Sequence, residues 1–585
     1  MRECTVHSSL MNLPRILILL AFLAVLGVPF ALRPAAERDP ATKDSPVLVV
    51  ITPHVPQIHH EFGIGFDRWY FAKFGKRVRV DWRYAGTSEI LKQLEAQYGA
   101  ALKGGQFDLT DLKNPKCAPG LIGYDLMFGG GTFDHGRLKS GVSHAIADKD
   151  AKDGMRQIKV PMSIGAGFSE AQMKEWFGAD NIVGIQPMYD PDQFWIGTAL
   201  SSFGIVYNRD VLKRLGLSEP KSFEDLCDAR YAGWIALADP RQSGSVATSL
   251  DSILNNYGWD KGWKTLREMC ANTRYFTNSS PKTPIDVSAG EAAAGLAIDF
   301  YGRGQAQAVM KAGETPETSR VGYSDPTGSV YIDADPISLL RGGPNPELAK
   351  RFIEFCLTDE GQALWQFRAM PDSGSATNPK GDRGEKLGPQ KYELRRLPVR
   401  PVMYTPRYFG AFIDRVNPFE IASKTPVKGW RSAILMMMGA FSIDIADDQR
   451  EAWGVLTRAR AAGSPRAAEM EGLFYSWPKT TVDDPRLHPL FAKLDDKGKK
   501  VLQDQKLFNF RALKEYAQTY EPSADGPLTG LAAAGPEVLE FNPTNIKTIQ
   551  AAWKNSDIAS ACKIAYTKFF RENYRRIVEM AESSR

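Results

Sequence analysis

Three apolar segments, each ending in a polar turn, most constrain what this chain can fold into. Val47–Ile51 (VLVVI) is continuously apolar, the pattern of a strand covered on both faces. Val78–Trp82 alternates as a second strand, and Gly123–Phe128 reads as a third. A helical stretch runs between the first two, to about Phe74. Another opens at Gly86-Thr87-Ser88-Glu89, with Ile90, Leu91, Leu94 and Tyr98 at helical spacing. The order β-α-β-α-β predicts an α/β fold class, with a mostly parallel sheet and helices on both faces.

The same pattern recurs farther along. Phe203–Tyr207, Trp234–Ala238 and Gly295–Phe300 read as strands, with a helix from Ser243-Gly244-Ser245 to Leu254. Val330–Ile332 and Pro336–Leu340 look like strands returning to the first unit. Pro346–Trp365 reads as one amphipathic helix. From about Arg407 to Arg585 the chain reads as mainly helical, without obvious strands. At 585 residues it is too long for one core, and three or four packing units are expected.

The chemistry is read as much from exclusions as from motifs. A net charge of +5 over this length, with no basic block interleaved with aromatics, excludes a dedicated nucleic-acid binder. A P-loop, HExxH, GxSxG, complete GxGxxG and CxxC are all missing. Polar residues instead follow the strands: Thr52-Pro53-His54, Gly86-Thr87-Ser88, Gly129-Gly130-Gly131-Thr132, Asp239 with Ser243-Gly244-Ser245, and Asp299-Phe300-Tyr301-Gly302. Ligands of open α/β sheets bind at such strand ends, where helix N-termini offer free N–H groups. Any one of these turns is explained by helix capping alone. Five of them on two α/β units point to a cleft between lobes. Without a nucleophile–base pair, the cleft reads as binding rather than catalysis, with no catalytic residue and no cofactor.

Ile16–Leu32 is an uncharged apolar run between Arg15 and Arg33. It reads as an export address, either a cleaved signal or an uncleaved N-terminal membrane anchor, with Arg33–Pro46 as a tether. Of six cysteines, Cys4 precedes this run. The other five are an odd number, expected to be small buried hydrophobes, with Cys227–Cys270 as a candidate bridge.

In combination these stretches resemble the class II, ferric-iron/spermidine-type extracellular solute-binding proteins of ABC importers. The stretches are VLVVITPH (Val47–His54), YAGTSEIL (Tyr84–Leu91), DLMFGGGTFD (Asp125–Asp134), SSFGIVYNRDVLKRLGL (Ser201–Leu217), YAGWIALADPRQSGS (Tyr231–Ser245), GLAIDFYG (Gly295–Gly302), GGPNPELAKRFIEFCLTDEGQALW (Gly342–Trp365) and LRRLPVRPVMY (Leu394–Tyr404). The resemblance implies a two-lobe periplasmic-binding-protein type II fold, crossing near Gly197–Tyr207 and returning near Asp299–Tyr323. It divides the chain into signal or anchor and tether (1–45), lobe 1 (46–200), lobe 2 (201–305), the lobe 1 return (306–420) and a helical extension (421–585). It implies a periplasmic protein that takes a small solute and delivers it to an inner-membrane ABC permease.

The expected solute contacts are Thr52, His54, Gly86, Thr87, Ser88, Asp125, Gly130, Gly131, Thr132, Ser202, Ser243, Gly244, Ser245, Asp299 and Tyr301. A small anion such as a phosphonate, phosphoester or carboxylate would draw on these donors, with Arg241 or His54 adding charge. Fe³⁺ would instead need His54 and Tyr301 as metal ligands. A polyamine would use Asp125, Asp299, Asp325 and Tyr301. Two other readings stay open: a ligand-sensing or scaffold ectodomain signalling through the C-terminal helices, and a metal-dependent hydrolase at His54. The extension is expected to be a bundle docked on a lobe, with the basic Ala551–Glu582 as an alternative partner or membrane-facing surface.

Overall fold

The computed structural model describes residues 17–18, 20–23, 25, 45–149, 154–370, 373–519 and 527–582. Most of the apolar run Ile16–Leu32 and of its tether lies outside them, and the export expectation lies there too. Among the described residues no helix is long and apolar enough to cross a membrane.

The first unit forms as the alternation predicts. β1 (Val47–Thr52) pairs in parallel with β2 (Arg79–Tyr84) and with β3 (Leu126–Phe128). Helices α1 (Pro56–Phe74), α2 (Thr87–Lys103) and α3 (Thr132–Ser140) follow these strands in turn. β4 (Ile196–Asn208) is buried along its whole length. It is followed by β5 (Ile235–Ala238), β6 (Thr273–Thr277) and β7 (Ala294–Ile298), and by helices α4 (Gly244–Tyr257), α5 (Trp259–Ala271) and α6 (Asp299–Val309). The chain then returns in β8 (Ile332–Leu340).

β4 is the joint between the two lobes. Its first half, Ile196–Ser202, pairs antiparallel with β8 in lobe 1. Its second half, Phe203–Tyr207, pairs with β7 in lobe 2. The chain thus crosses at Ser202–Phe203. The strand Val321–Ser324 still pairs with Ile205–Asn208, so the return lies between Ser324 and Ile332, later than expected. A short strand, Leu397–Pro398, also pairs with Ala199 and Leu200.

Apolar residues on both faces of each sheet build the cores. In lobe 1, Leu48, Val50, Phe62, Phe128, Phe352 and Trp365 pack on one face, and Ile51, Ile90, Leu94, Tyr98 and Met127 on the other. The segments expected as two return strands are the single strand β8, whose polar Asp333 and Asp335 find partners and so need not break it. The stretch expected as one helix is two, α7 (Pro346–Cys356) and α8 (Asp359–Gln366), because the Thr358 hydroxyl caps a new start by accepting the Gly361 N–H at 3.1 Å.

The C-terminal part holds α9 (Arg431–Phe441), α10 (Ala446–Ala461), α11 (Ala467–Tyr475) and α12 (Ser556–Glu582). It also holds a strand pair that helical periodicity missed: β9 (Lys479–Val482) runs antiparallel to β10 (Glu537–Glu540). These helices share one continuous core with lobe 2. Leu250, Leu254, Trp259 and Trp263 pack with Met437, Phe441, Trp453, Phe474, Phe570 and Tyr574. The buried Arg267 pins the join: it donates to the carbonyls of Phe474 and Ser476, with its guanidinium 4.0 Å from the Trp477 ring. The five cysteines among the described residues are all free, which corrects the Cys227–Cys270 expectation. The Cys227 thiol instead contacts the Thr265 carbonyl at 3.5 Å.

Candidate functional site

The site begins where β1 ends. The Thr52 hydroxyl donates to the Phe128 carbonyl at 2.6 Å and accepts the His54 N–H at 3.1 Å, which fixes the turn across the ends of β1 and β3. The His54 ring stands edge-on to Phe128 at 4.5 Å and is buried. Gly129 passes directly against it. Its φ is +92°, and a Cβ there would stand 2.4 Å from His54 Nε2, so only glycine fits.

Two charged side chains complete the cluster. Asp335, on β8, lies 3.2 Å from His54 Nε2. Arg396, carried in by the Leu397–Pro398 strand, donates to His54 Nε2 at 2.9 Å and to Ser201 Oγ at 2.6 Å, and pairs with Asp335. A guanidinium can only donate, so Nε2 accepts and the neutral imidazole carries its proton on Nδ1. Burial lowers the His54 pKa, and the pull of Asp335 offsets only part of that. Burial works the other way on Asp335, but Arg396 and then His54 outweigh it and hold the carboxyl below its usual range. From lobe 2, the Phe300 ring lies 4.3 Å from the Arg396 guanidinium, so this cation touches both lobes.

His54 Nδ1, Asp335 Oδ1 and Arg396 Nε are buried without a hydrogen-bond partner. Each such group costs about 1–3 kcal/mol, and three in one cluster mark a site rather than a finished core.

The neighbouring Arg395 points elsewhere. Its φ of +52° is left-handed, at a cost of roughly 1–2 kcal/mol. It pairs with Asp414 at 2.6 Å and donates to the Arg303 carbonyl of lobe 2 at 3.1 Å. Arg303 in turn pairs with Asp299 at 2.9 Å and Asp325 at 2.6 Å.

The expected contacts divide accordingly. Thr52 and His54 are in the cluster. Gly86, Thr87 and Ser88 open α2 at the rim, where Gly86 has no side-chain cap and the Thr87 methyl lies against Gly130. Gly130, Gly131 and Thr132 lead into α3, but Asp333 already accepts the Thr132 hydroxyl at 2.8 Å and its N–H at 3.3 Å. In lobe 2, Ser243 caps Val246 at 3.2 Å and bonds Ser280 at 2.7 Å, with Gly244 and Ser245 opening α4 beside it. Tyr301 sits in the first turn of α6, half-buried. Burial and then Tyr84 push its phenol up to about 12.

Three of the expected contacts, and Arg241, are engaged elsewhere. Asp125 precedes β3, at the opposite end of the strands, and accepts the N–H groups of Val49 and Asn345. Ser202 donates to Asp325, and Asp299 is neutralised by Arg303, which leaves no carboxylate box for a polyamine. Arg241 is held by Asp239 and by Asp444 of the C-terminal part. Nor does the donor set fit Fe³⁺. His54 Nε2 already meets a guanidinium and Tyr301 keeps its proton. Among the described residues no group of three or more His, Cys, Asp or Glu could hold a metal ion.

Sequence reasoning missed Arg396, Asp335, Asp333 and Ser201. Signals were present: two adjacent arginines flanked by Leu394, Leu397 and Val399, and aspartates at alternate positions of an apolar strand. Each places charge where burial demands a partner.

Comparison with known proteins adds to this geometry. The family model for bacterial extracellular solute-binding proteins matches residues 168–387. A phosphoglycerate transport regulatory protein, PgtC, of Salmonella typhimurium is 23% identical over 278 residues, 44% of this chain and 65% of that protein. The chain thus spans just under two thirds of that relative's length. An uncharacterized protein of Haemophilus influenzae is 29% identical over 165 residues, 28% of this chain and 44% of that protein. Among solved structures, the periplasmic binding protein AfuA of Actinobacillus pleuropneumoniae, with fructose-6-phosphate bound, is 16% identical with a TM-score of 0.40, over 68% of this chain and 99% of that one. Iron-bound HitA of Pseudomonas aeruginosa is 14% identical with a TM-score of 0.39, over 66% and 99%. Residues 168–387 thus match the bacterial extracellular solute-binding family, and they lie within a two-lobed α/β frame that ends in a helical C-terminal part.

Proposed function

We propose that this chain is the extracytoplasmic solute-binding component of an ABC import system, and that its interlobe cleft takes a small organic anion without catalysing a reaction. The observation that carries the reading is the Arg396 cluster. A guanidinium sits at the meeting of both lobes, within a group of buried polar atoms that still lack partners. An anion would satisfy the Arg396 Nε–H and the His54 Nδ1–H, and its removal from water would strengthen both bonds. Phosphoglycerate, for which the Salmonella relative is named, belongs to this chemical class. Binding energy that favours the closed state would draw the lobes together.

The test is a thermal-shift and calorimetric panel on the purified protein: phosphoglycerate, hexose phosphate, phosphonate, a dicarboxylate, Fe³⁺ and spermidine. An anion should raise the melting temperature of wild type and not of Arg396→Ala at a temperature where both are folded. A response to Fe³⁺ or spermidine that survives Arg396→Ala would overturn the anion assignment.

A second reading, a sensor ectodomain, draws on the core shared by lobe 2 and the C-terminal helices, because a lobe that moves carries those helices with it. It expects solute-dependent capture of a partner through residues after 420. Capture that ignores solute counts against it.

A further inference from the structure

The turn expected to cradle an anion in lobe 1 is already filled by the protein's own acid. Asp333 lies two positions before Asp335 on β8, on the same face of the strand. Its carboxylate accepts the hydroxyl and the N–H of Thr132, while Asp134 accepts the Gly131 N–H at 3.1 Å. The free donors of the first turn of α3 therefore hold two internal carboxylates. Asp335 has Arg396 as its cation, but no ion pair joins Asp333 to a cation among the described residues. A solute anion seated beside Arg396 meets one positive guanidinium and the negative charges of Asp335 and Asp333. Coulomb repulsion between like charges is stronger in a buried site than in water.

We propose that Asp333 sets the selectivity of the cleft by taking up a proton from solvent when an anionic solute binds, so that the solute faces a neutral acid. This rests on the anion reading above. The proton goes to a carboxylate oxygen of Asp333, and no other bond is made or broken. Burial already pushes the Asp333 carboxyl up to about 6, against the pull of the Thr132 bonds and with Asp335 adding to the push.

Other titratable groups pack around Asp333. On α3, His135 is lowered to about 4 by burial, and burial raises Asp134 against the pull of Arg431 and Arg137. Across the cluster, His54 is kept neutral and Asp335 is held low. Among these groups Asp134 is therefore the rival and needs its own variant, while Asp299, which burial raises to about 7 against the pull of Arg303 and Arg396, is unchanged in all the variants compared.

The experiment titrates phosphoglycerate into the whole protein at pH 7 in two buffers of different ionisation enthalpy, for wild type, Asp333→Asn and Asp134→Asn. The probe's own phosphate titration is common to all three and cancels. Wild type and Asp134→Asn should take up close to one proton more per solute than Asp333→Asn. Wild-type affinity should also gain up to about tenfold more per pH unit than that of Asp333→Asn as pH falls toward 6. Equal proton counts in wild type and Asp333→Asn overturn this assignment and leave the anion reading standing. Loss of the extra proton in Asp134→Asn alone moves it to Asp134 and also overturns the assignment. Absence of binding by both wild type and Asp333→Asn removes the anion reading, and this assignment with it.

A ligand-free measurement checks the same group. An acid whose folded pKa is raised loses stability as pH climbs from about 4 toward 6, because the unfolded chain ionises first. Asp333→Asn should therefore out-melt wild type by more at pH 7.5 than at pH 5. A gap of equal size at both pH values overturns the assignment.

Discussion

At the scale of single residues, the cleft floor joins stability to binding. Arg396 and Asp335 form a buried pair, and removing one partner leaves an uncompensated charge. Arg396→Ala is expected to cost about 3–5 kcal/mol in urea denaturation, where a surface arginine would cost under about 1. The same pair sets an acid limit. Asp335 is held below its usual range, so its contribution is complete above the unfolded value of about 3.9 and is lost as pH falls through the lower folded value. Urea midpoints measured from pH 5 down to 2.5 should fall more steeply for wild type than for Asp335→Asn. Gly129 makes a third case. With Ala in its place the Cβ meets the His54 ring, and φ there is left-handed, so Gly129→Ala should lower the melting temperature and weaken solute binding together. Of these residues, His54 and the glycine run were legible in the sequence, because strand ends followed by small polar residues announce a binding edge. Arg396 and Asp335 were not, because their meeting depends on two chain passes far apart in sequence.

At the scale of elements, α5 and the C-terminal helices act as one packing unit. Trp259 and Trp263 of α5 lie 5.1 Å from Trp430 and Trp477 respectively. A chain ending near residue 424 would expose that apolar face of lobe 2. It is expected to aggregate or melt at least about 10 °C lower in a thermal scan, since several buried aromatics at about 3–5 kcal/mol each would lose their cover. A truncated chain that melts like the full one would show lobe 2 to be self-sufficient. The amphipathic pattern of α7 and the apolar run of β1 were readable because each reflects local periodicity. The break before α8 rested on one hydroxyl at Thr358, and the β9–β10 pair joins strands separated by intervening helices. Neither signal is periodic, and both were missed.

At the scale of the whole molecule, three passes join the lobes: β4, the segment after Ser324, and the stretch from Ala422, bridged to Val330 in lobe 1, to Lys428, whose N–H donates to Asn255 of lobe 2. Arg395 and Asp414 tie the Leu394–Val399 segment of lobe 1 to Arg303 of lobe 2, so opening is expected to be a hinge about these passes with that network kept. Small-angle scattering should show the radius of gyration of wild type falling on addition of phosphoglycerate, with no change for Arg396→Ala. The sequence by itself determined the α/β class, the two-unit plan and the helical end, because hydrophobic periodicity is local and each element must bury the face that its own residues create. Only the tertiary structure decided that the C-terminal helices complete the core of lobe 2. It alone set Asp333 on the turn expected to hold an anion and brought Arg396 to His54. Those outcomes depend on which buried charges meet once distant passes of the chain are packed together, and desolvation leaves such charges no choice but to find partners.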